Sequence, residues 1–449
     1  MSYEQIDLAA PLDATAASSA DVYARVTRRL LPLLMMCYIV AYIDRLNVGF
    51  AKLQMQADLG LSDAMYGFGA GIFFIGYVMT EVPANLLLQK FGARKTLTRI
   101  MVLWGLMSMG TAFAQTPGQF YVMRFFLGVF EAGFFPGIVV YCTRWFPDAW
   151  RGRFLGKFLT AIPIAGIVNG PLSGWIMSRF HGQWGFNGWQ WLFVLEGLPS
   201  VMLGLFIYFR LDESPEEARW LSAAQKARIR QDLLLEAGTQ GGKRERHATS
   251  FMAAIRDIKV YALALALFCF SCGSNLIGFW MPTIIRGIGV TDVFHVGLLT
   301  AVSYGVTCAA IIANGHHSDR KLERRWHCAI PAFIGAVSLV AMVYLQGHML
   351  LSFCLLSVAA AGSIGIFPAY WSIPPAYLRG AAAAGGVALI NSLGQLAGFV
   401  SPFVLGLIRT KTGSLTLANW LVAAVMILGG LTILLFVKPA ALRQGEAAR

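Results

Sequence analysis

Charge is scarce in this chain. Of 449 residues only 13% are Asp, Glu, Lys or Arg, while 57% are hydrophobic and the mean hydropathy is +0.61. A soluble globular protein carries about a quarter charged residues, so the composition excludes an ordinary water-soluble domain and places the chain in a bilayer. A phosphate-cradling loop of the G-x-x-x-x-G-K-[ST] kind is missing as well, which excludes an ATP-driven pump in this polypeptide. Neither a signalling domain nor a catalytic triad nor a metal-ligand set can be read from the residue pattern, so an enzyme is not expected. Cysteine is sparse too. The seven present lie in or beside apolar runs, and the "CFSC" pair Cys269 and Cys272 sits inside one, so buried packing is favoured over a redox or metal role. His316 and His317 lack a third ligand close in sequence and read as solvated loop histidines, so no metal site is expected.

What is abundant is long apolar sequence. At roughly 20 residues per crossing, twelve spans can be placed, at about 30–50, 66–88, 97–115, 119–142, 154–178, 190–209, 258–285, 296–314, 328–346, 349–371, 382–408 and 416–437. The head of the chain holds four acidic residues and no apolar run. It reads as a cytoplasmic tail over residues 1–28 and not as a signal peptide. Lys and Arg gather in the loops on one side: Arg28 and Arg29, Lys90 to Lys95, Arg144 to Lys157, Lys243 to Arg246, Arg320 to Arg325, Arg379, Lys438 and Arg443. The other side offers little beyond Lys52, Arg179, Arg286, Arg409 and Lys411. Positive-inside orientation then puts both termini in the cytoplasm. The net charge of +13 is mostly a topology signal; basic residues scattered over short loops make no stripe for nucleic acid.

A polar stretch at 210–256 divides six spans from six. In it Ser214, Pro215 and Glu217 fit a capping box opening a surface helix. The two halves, 29–209 and 257–437, with a tail at 438–449, show a weak internal repeat. Gly166, Gly170 and Gly174 in the fifth span recur as Gly394, Gly398 and Pro402 in the eleventh, each 228 residues later. The stretches "NLLLQKFGARK" and "GHHSDRKLERR" sit 230 apart. Near-equal offsets argue for a duplicated six-helix unit, and small residues at every fourth position allow close helix approach. The expected fold is therefore an all-α polytopic membrane protein of twelve transmembrane helices in two pseudo-symmetric six-helix bundles, the plan of a secondary carrier.

Ionisable residues inside the spans ask for partners, because each costs about 2.5–3.5 kcal/mol at mid-helix even on the lenient insertion scale. Asp44 and Arg45 in "YIVAYIDRLNVGFA" are adjacent and thus about 100° apart on a helix, unable to face one another. Arg124 and Glu131 share a face of the fourth span. Counted from the expected span ends at 1.5 Å per residue, Asp44 lies about 9 Å in, Arg124 about 7–8 Å and Glu131 about 18 Å. The depth match pairs Asp44 with Arg124 and leaves Arg45 free for an incoming anion. The competing reading is a structural network stapling spans one and four. Against it, Cys272, Gly273 and Ala359 stand at the equivalent second-half positions, whereas a symmetric staple would occur twice. Glu81 and Glu196 read as structural acids. Tyr42, three residues from Arg45, and Tyr77 suit a carboxylate as well as helix packing. Asn391 and Ser372 fit either substrate contact or helix-to-helix bonding.

With these residues in view the chain resembles the major facilitator superfamily and, within it, the anion:cation symporter family of organic-anion carriers. "YIDRLNVGFA", "EVPANLLLQKFGARK", "RFFLGVFEAGFFPG", "RWFPDAWRGR", "WQWLFVLEGLP", "LDESPEEARWLS" and "AAAAGGVALINSLGQLAGFVSPFVLG" carry the resemblance from the first span to the last. It implies the major facilitator fold and proton-coupled import of an organic carboxylate by alternating access. Arg45, Tyr42 and Tyr77, with Asn391 and Ser372 from the second half, would hold substrate. Asp44 and Glu131 would take protons, with Arg124 modulating them. The superfamily's loop motif stands as Gly315, Asp319 and Arg320, while its first-half copy departs at Asn85 and Gln89.

The expected cargo is a sugar acid, a tartrate-like diacid or an aromatic acid, with a small hydroxylated diacid preferred. The energy source would be the proton gradient with no cofactor, and the protein a monomer in the lipid of the cell inner membrane. "GIVNGPLSG" also resembles the motif of drug/proton antiporters, so efflux is the alternative; a membrane sensor or enzyme is a remote one.

Overall fold

A computed structural model describes residues 19–240, 255–345, 347–378 and 382–438. These residues are almost entirely helical and form twelve membrane-crossing rods plus one surface helix. Ten of the rods are long and apolar enough to qualify as spans by themselves among the described residues. α2 (Asp63–Phe91) and α3 (Ala93–Thr111) complete the set by packing among them.

The first half holds α1 (Ser19–Asp58), α2, α3, α4 (Pro117–Glu131) continued by α5 (Phe134–Thr143), α6 (Asp148–Leu159) continued by α7 (Ala161–Arg179), and α8 (Gly188–Arg210). After the surface helix α9 (Ala223–Gln240) the second half holds α10 (Ile258–Gly287), α11 (Val293–Lys321) and α12 (Arg325–Tyr344). It continues with α13 (Met349–Ile364) and α14 (Phe367–Tyr377), α15 (Ala382–Gln395) and α16 (Ala397–Thr412), and α17 (Thr416–Phe436).

Four expected spans are thus broken rods, and three of the breaks have one cause. Pro136, Pro163 and Pro368 each lack the N–H that would reach the carbonyl four residues back, and α4, α6 and α13 end at or one residue before that carbonyl. At the first break Gly133 adopts φ +87°, a conformation that side-chain-bearing residues avoid. It also lies close to Ala84 of α2. The fourth break, at Leu396 between Gly394 and Gly398, has no such proline.

Several expected boundaries move. α1 starts at Ser19, so residues 19–28 of the expected tail are helical, with Val22, Tyr23 and Val26 buried. Its far end runs to Asp58, well beyond residue 50. The polar "KLQMQAD" there looked like loop, yet it is held by the turn before α8. Asn187 Nδ2 and Trp189 Nε1 each donate to Asp58 at 2.5 Å, and the Trp189 amide donates to Gln54 at 3.1 Å. In the linker, residues 214–221 form turns and not a helix. The helix cap lies further on, where the Gln225 amide donates to Ser222 Oγ at 3.2 Å and the Ser222 amide donates to Gln225 Oε1 at 3.1 Å. Ser214 instead donates to Glu216, drawing that exposed carboxyl below its usual range.

The linker docks on the first half. Glu213 accepts the Ala93 and Arg94 amides at 2.6 and 2.9 Å, capping α3, and pairs with Arg144 at 2.5 Å. Trp220 stacks on Trp145, and Tyr23 donates to Asp232 at 2.9 Å.

The glycine rows join the halves. Gly170 of α7 and Gly297 of α11 lie backbone to backbone, with Gly166 against Tyr304 and Gly174 against Phe294. The related row of α16 lies on α2, where Gly398 meets Phe74 and Pro402 meets Gly67. The fifth-span row thus meets the opposite half throughout and the eleventh-span row does so at Gly398 and Pro402, while Gly394, before the break, packs on Leu267 of its own half.

At the end away from the termini, hydrogen bonds also cross between halves. Lys52 is 1% exposed and lies 2.8 Å from Asp63, which Arg409 also approaches at 3.4 Å. The Lys52 ammonium rests 3.7 Å from the Trp280 ring centroid and 3.4 Å from Thr283 Oγ1. Tyr66 donates to the Phe279 carbonyl at 3.0 Å, Arg286 to Leu53 at 2.9 Å, and the Ala64 amide to Thr410 at 2.8 Å.

Candidate functional site

α1 turns Asp44 and Arg45 into different neighbourhoods. Asp44, 1% exposed, faces α3. Trp104 Nε1 donates to its Oδ2 at 2.6 Å, Ser108 Oγ to its Oδ1 at 2.5 Å, and Asn47 Nδ2 to the same Oδ1 at 3.1 Å. Trp104 and Ser108 are four apart on α3 and Asn47 three from Asp44 on α1, so helix geometry alone brings these donors onto one face each.

Arg45 faces α2 and α4, and its Nη2 donates to Glu131 Oε1 in an ion pair. The guanidinium carbon lies 5.1 Å from the Tyr42 ring centroid, 5.3 Å from Phe73 and 5.7 Å from Tyr77. The Arg45 side chain keeps 17% exposure while Glu131 keeps 4%. The cation is therefore reachable and its carboxylate is covered.

The expected pairing is overturned in both parts. Asp44 does not pair with Arg124, and Arg45 is not left without a carboxylate. Depth was a sound criterion, but the end of α1 was misplaced. Counted from Asp58, Arg45 lies about 20 Å in, and Glu131 counted from Pro117 lies about 21 Å in. Arg124 is only about 10 Å in by the same count. Arg124 is fully buried, its three guanidinium nitrogens have no hydrogen-bond partner, and it sits 5.1 Å from the face of Phe73. Phe73 thus lies against both guanidinium groups. Arg124 and Glu131 remain two turns apart on one helix, the arrangement read from the sequence.

The second-half candidates are not joined to this cluster. Ser372 Oγ donates at 3.1 Å to the Pro368 carbonyl of its own helix, and the half-buried Asn391 side chain has no hydrogen bond among the described residues. Gly315, Asp319 and Arg320 do not form a loop but continue α11 to its end, where Asp319 pairs with Arg324 at 2.5 Å and Arg320 is exposed. The side chains of Asn85 and Gln89 lie outside the described residues, as do Lys243, Arg244, Arg246, Arg379 and Arg443. His317 is not merely solvated, since its Nδ1 lies 2.7 Å from His327 Nε2, whose ring meets Glu323 at 3.0 Å. Among the described residues no group of three or more ligands suits a metal ion. Cys269 and Cys272 are buried packing residues.

Sequence reasoning missed Trp104, Ser108, Asn47 and Phe73. The i, i+4 spacing of Trp104 and Ser108 was a usable signal. A tryptophan in an apolar span reads first as packing, however, and nothing local says which helix it faces.

Comparison with known proteins agrees with this architecture. Residues 34–402 match the Major Facilitator Superfamily. A candidate metabolite transport protein of Pseudomonas putida, NicT, is 44% identical over 407 residues, covering 91% of this chain and 92% of the relative. A candidate tartrate transporter of Agrobacterium vitis is 39% identical over 430 residues, covering 95% and 97%. A quinolone resistance transporter of Acinetobacter baumannii is 39% identical over 416 residues, covering 91% and 93%. Among solved structures, a partially occluded inward-open form of the xylose transporter XylE from E. coli superposes with a TM-score of 0.73 at 15% identity, over 92% of this chain and 98% of that one. That likeness is one of fold.

Proposed function

Because this chain belongs to the major facilitator superfamily and so is a membrane transporter, we propose that its cargo is an organic carboxylate anion, carried inward by proton symport through alternating access. The observation that carries this reading is the Arg45–Glu131 pair, a part-exposed guanidinium ringed by Tyr42, Phe73 and Tyr77 and held by a buried internal carboxylate. An incoming carboxylate is the chemical equal of Glu131 and competes for the same planar fork of donors. Glu131, once displaced, is a buried charge without its partner. It has two outlets: a proton, or the unpartnered Arg124 on its own helix. Either limits the cost of leaving a carboxylate bare in a dry interior, which runs to several kcal/mol. Anion binding and proton uptake are coupled in this way, and Arg124 sets how strongly.

The phenols of Tyr42 and Tyr77 suit a cargo with hydroxyl oxygens or a ring, and the tartrate name borne by one relative favours a small hydroxylated diacid. In the loaded, opened site Asn391 and Ser372 approach the cargo from the second half. The protein acts as a monomer in the inner membrane with both termini in the cytoplasm, driven by the proton gradient.

Drug/proton antiport is the second reading, favoured by the quinolone resistance relative. Thermal unfolding of the purified protein separates the two. Tartrate, a six-carbon sugar acid, benzoate, a quinolone and a lipophilic cation are each added. Ligand at 100 times its Kd stabilises by about 2.7 kcal/mol, readily seen as a higher Tm. Protection by one of the acids, lost in Arg45→Ala, supports carboxylate transport. Protection by the quinolone or the cation with none by any acid overturns it.

A further inference from the structure

Glu196 of α8 takes no part in the scheme above, yet it is 2% exposed in the middle of the first half. Three buried acids, Asp44, Glu131 and Glu196, stand there with two guanidinium groups, the part-exposed Arg45 and the fully buried Arg124. With every group ionised the interior would hold an uncompensated negative charge, which burial penalises by several kcal/mol.

Donor counting shows which acid is the odd one. Glu131 has Arg45. Asp44 accepts from Trp104, Ser108 and Asn47. Glu196 has only neutral contacts: the Ser173 hydroxyl, 2.8 Å from Oε1, whose single proton is also claimed by Asn169 Oδ1 at 3.2 Å, and the Asn47 amide, which already donates to Asp44. Glu196 Oε2 has no partner. Two further atoms of buried residues are equally unserved: Asn47 Oδ1, an acceptor with no donor, and Ser200 Oγ. A carboxylate adds acceptors to a place already short of donors, whereas a carboxylic acid brings a donor of its own.

Asn47 links this acid to the other. Its Nδ2 donates to Asp44, and the same amide reaches toward the Glu196 carboxyl. Of the helices packed on α8, α1 presents Asp44 and Asn47, α7 presents Asn169 and Ser173, and α3 presents Gly105 and Met109. Asp44 is the titratable group among these.

We propose that Glu196 is a further proton-holding carboxyl of this transporter, linked to Asp44 through the Asn47 amide, so that the two acids share one negative charge inside the first half. The coupling path then runs deeper than the Arg45–Glu131 pair, into the α1–α7–α8 interior. The linkage follows from the buried cluster alone and does not require that the cargo be a carboxylate.

Infrared spectroscopy of the full-length protein in lipid, titrated in H2O and D2O with no cargo present, tests it. At neutral pH the wild type shows the C=O stretch of a buried protonated carboxyl, moved by deuteration, and Glu196→Gln lacks that band. In Asp44→Asn the band remains but disappears at a pH lower by about one unit or more, because the negative neighbour that helped retain the proton is gone. Asn47→Ala, which leaves both acids in place, shifts the band's frequency and covers the case in which the glutamine variant does not fold. A neutral-pH band unchanged in Glu196→Gln, a titration unmoved in Asp44→Asn, or a frequency unmoved in Asn47→Ala overturns the proposal. The thermal test with acids and drugs can fail without touching these outcomes.

Discussion

Replacing Asp63 by Asn removes a carboxylate shared by Lys52 and Arg409 at nearly constant size, and the structure sets the scale of the result. Lys52 is 1% exposed with Asp63 2.8 Å away, and it also meets the Trp280 ring at 3.7 Å, the Tyr66 ring at 4.8 Å and, in a long contact, Thr283. Removing one partner of a fully buried pair costs about 3–5 kcal/mol. Asp63 retains 20% side-chain exposure, and the desolvated cation–π contact with Trp280 offsets about 2 kcal/mol of the loss. About 1–3 kcal/mol remains. Lys52 and Asp63 belong to the first half and Trp280, Thr283 and Arg409 to the second, so the penalty falls on the arrangement in which the halves touch at this end. At 1.4 kcal/mol per factor of ten, that end should open about 5–100 times more often. The assay is maleimide labelling of Thr283→Cys, a buried position at 8% exposure, with the exposed Cys354 and half-buried Cys308 changed to Ser. Asp63→Asn should label about 5–100 times faster than its parent. Adding Lys52→Met, which leaves no stranded ammonium, should return the rate most of the way. An unchanged rate in the single variant, or a double variant as fast as the single, would refute the latch.

Arg45→Lys should weaken binding of a protecting acid about 10–100-fold by titration calorimetry, because an ammonium cannot offer two parallel N–H donors to a carboxylate; near-normal affinity would reduce Arg45 to a distant attractor. Glu131→Gln removes the carboxylate that competes for Arg45, so the variant should bind acid at least as tightly as wild type and exchange it in counterflow. The same vesicles should lose accumulation driven by an imposed pH gradient, and retained accumulation would return Glu131 to a structural role.

Much of the architecture could be read from the chain because lipid leaves few choices. Without water to satisfy the backbone, each apolar run of sufficient length must close its own hydrogen bonds as a helix. The glycine rows in the fifth and eleventh spans pointed correctly to close packing. The partner could not be read, since a smooth stripe does not say whether it meets its own half or the other. The proline at 136, 163 or 368 also marked a break one turn earlier in the chain, a signal the span count passed over. The site was less legible. Tyr42 and Arg45 do share one side of α1, as their spacing suggested, and Tyr77 of α2 joins them there. Asp44 and Arg124 do not meet.

That last failure separates what lies in the sequence from what lies in the fold. Composition and span length determined that the chain crosses a membrane, that its twelve rods fall into two related halves, and which ionisable residues are stranded inside. Those outcomes depend on hydrophobicity and hydrogen bonding summed over twenty residues, which a linear reading captures. Which acid meets which guanidinium was decided by tertiary structure alone. It depends on where α1 ends, and that end is held by Asn187 and Trp189, more than a hundred residues away. It depends also on rotation about the rod, which sends Asp44 to Trp104 and Ser108 and its neighbour Arg45 to Glu131. A shift of eight residues in one helix end changes depth by about 12 Å, more than the reach of any side chain, so the charge pairing could be settled only once the helices had been packed.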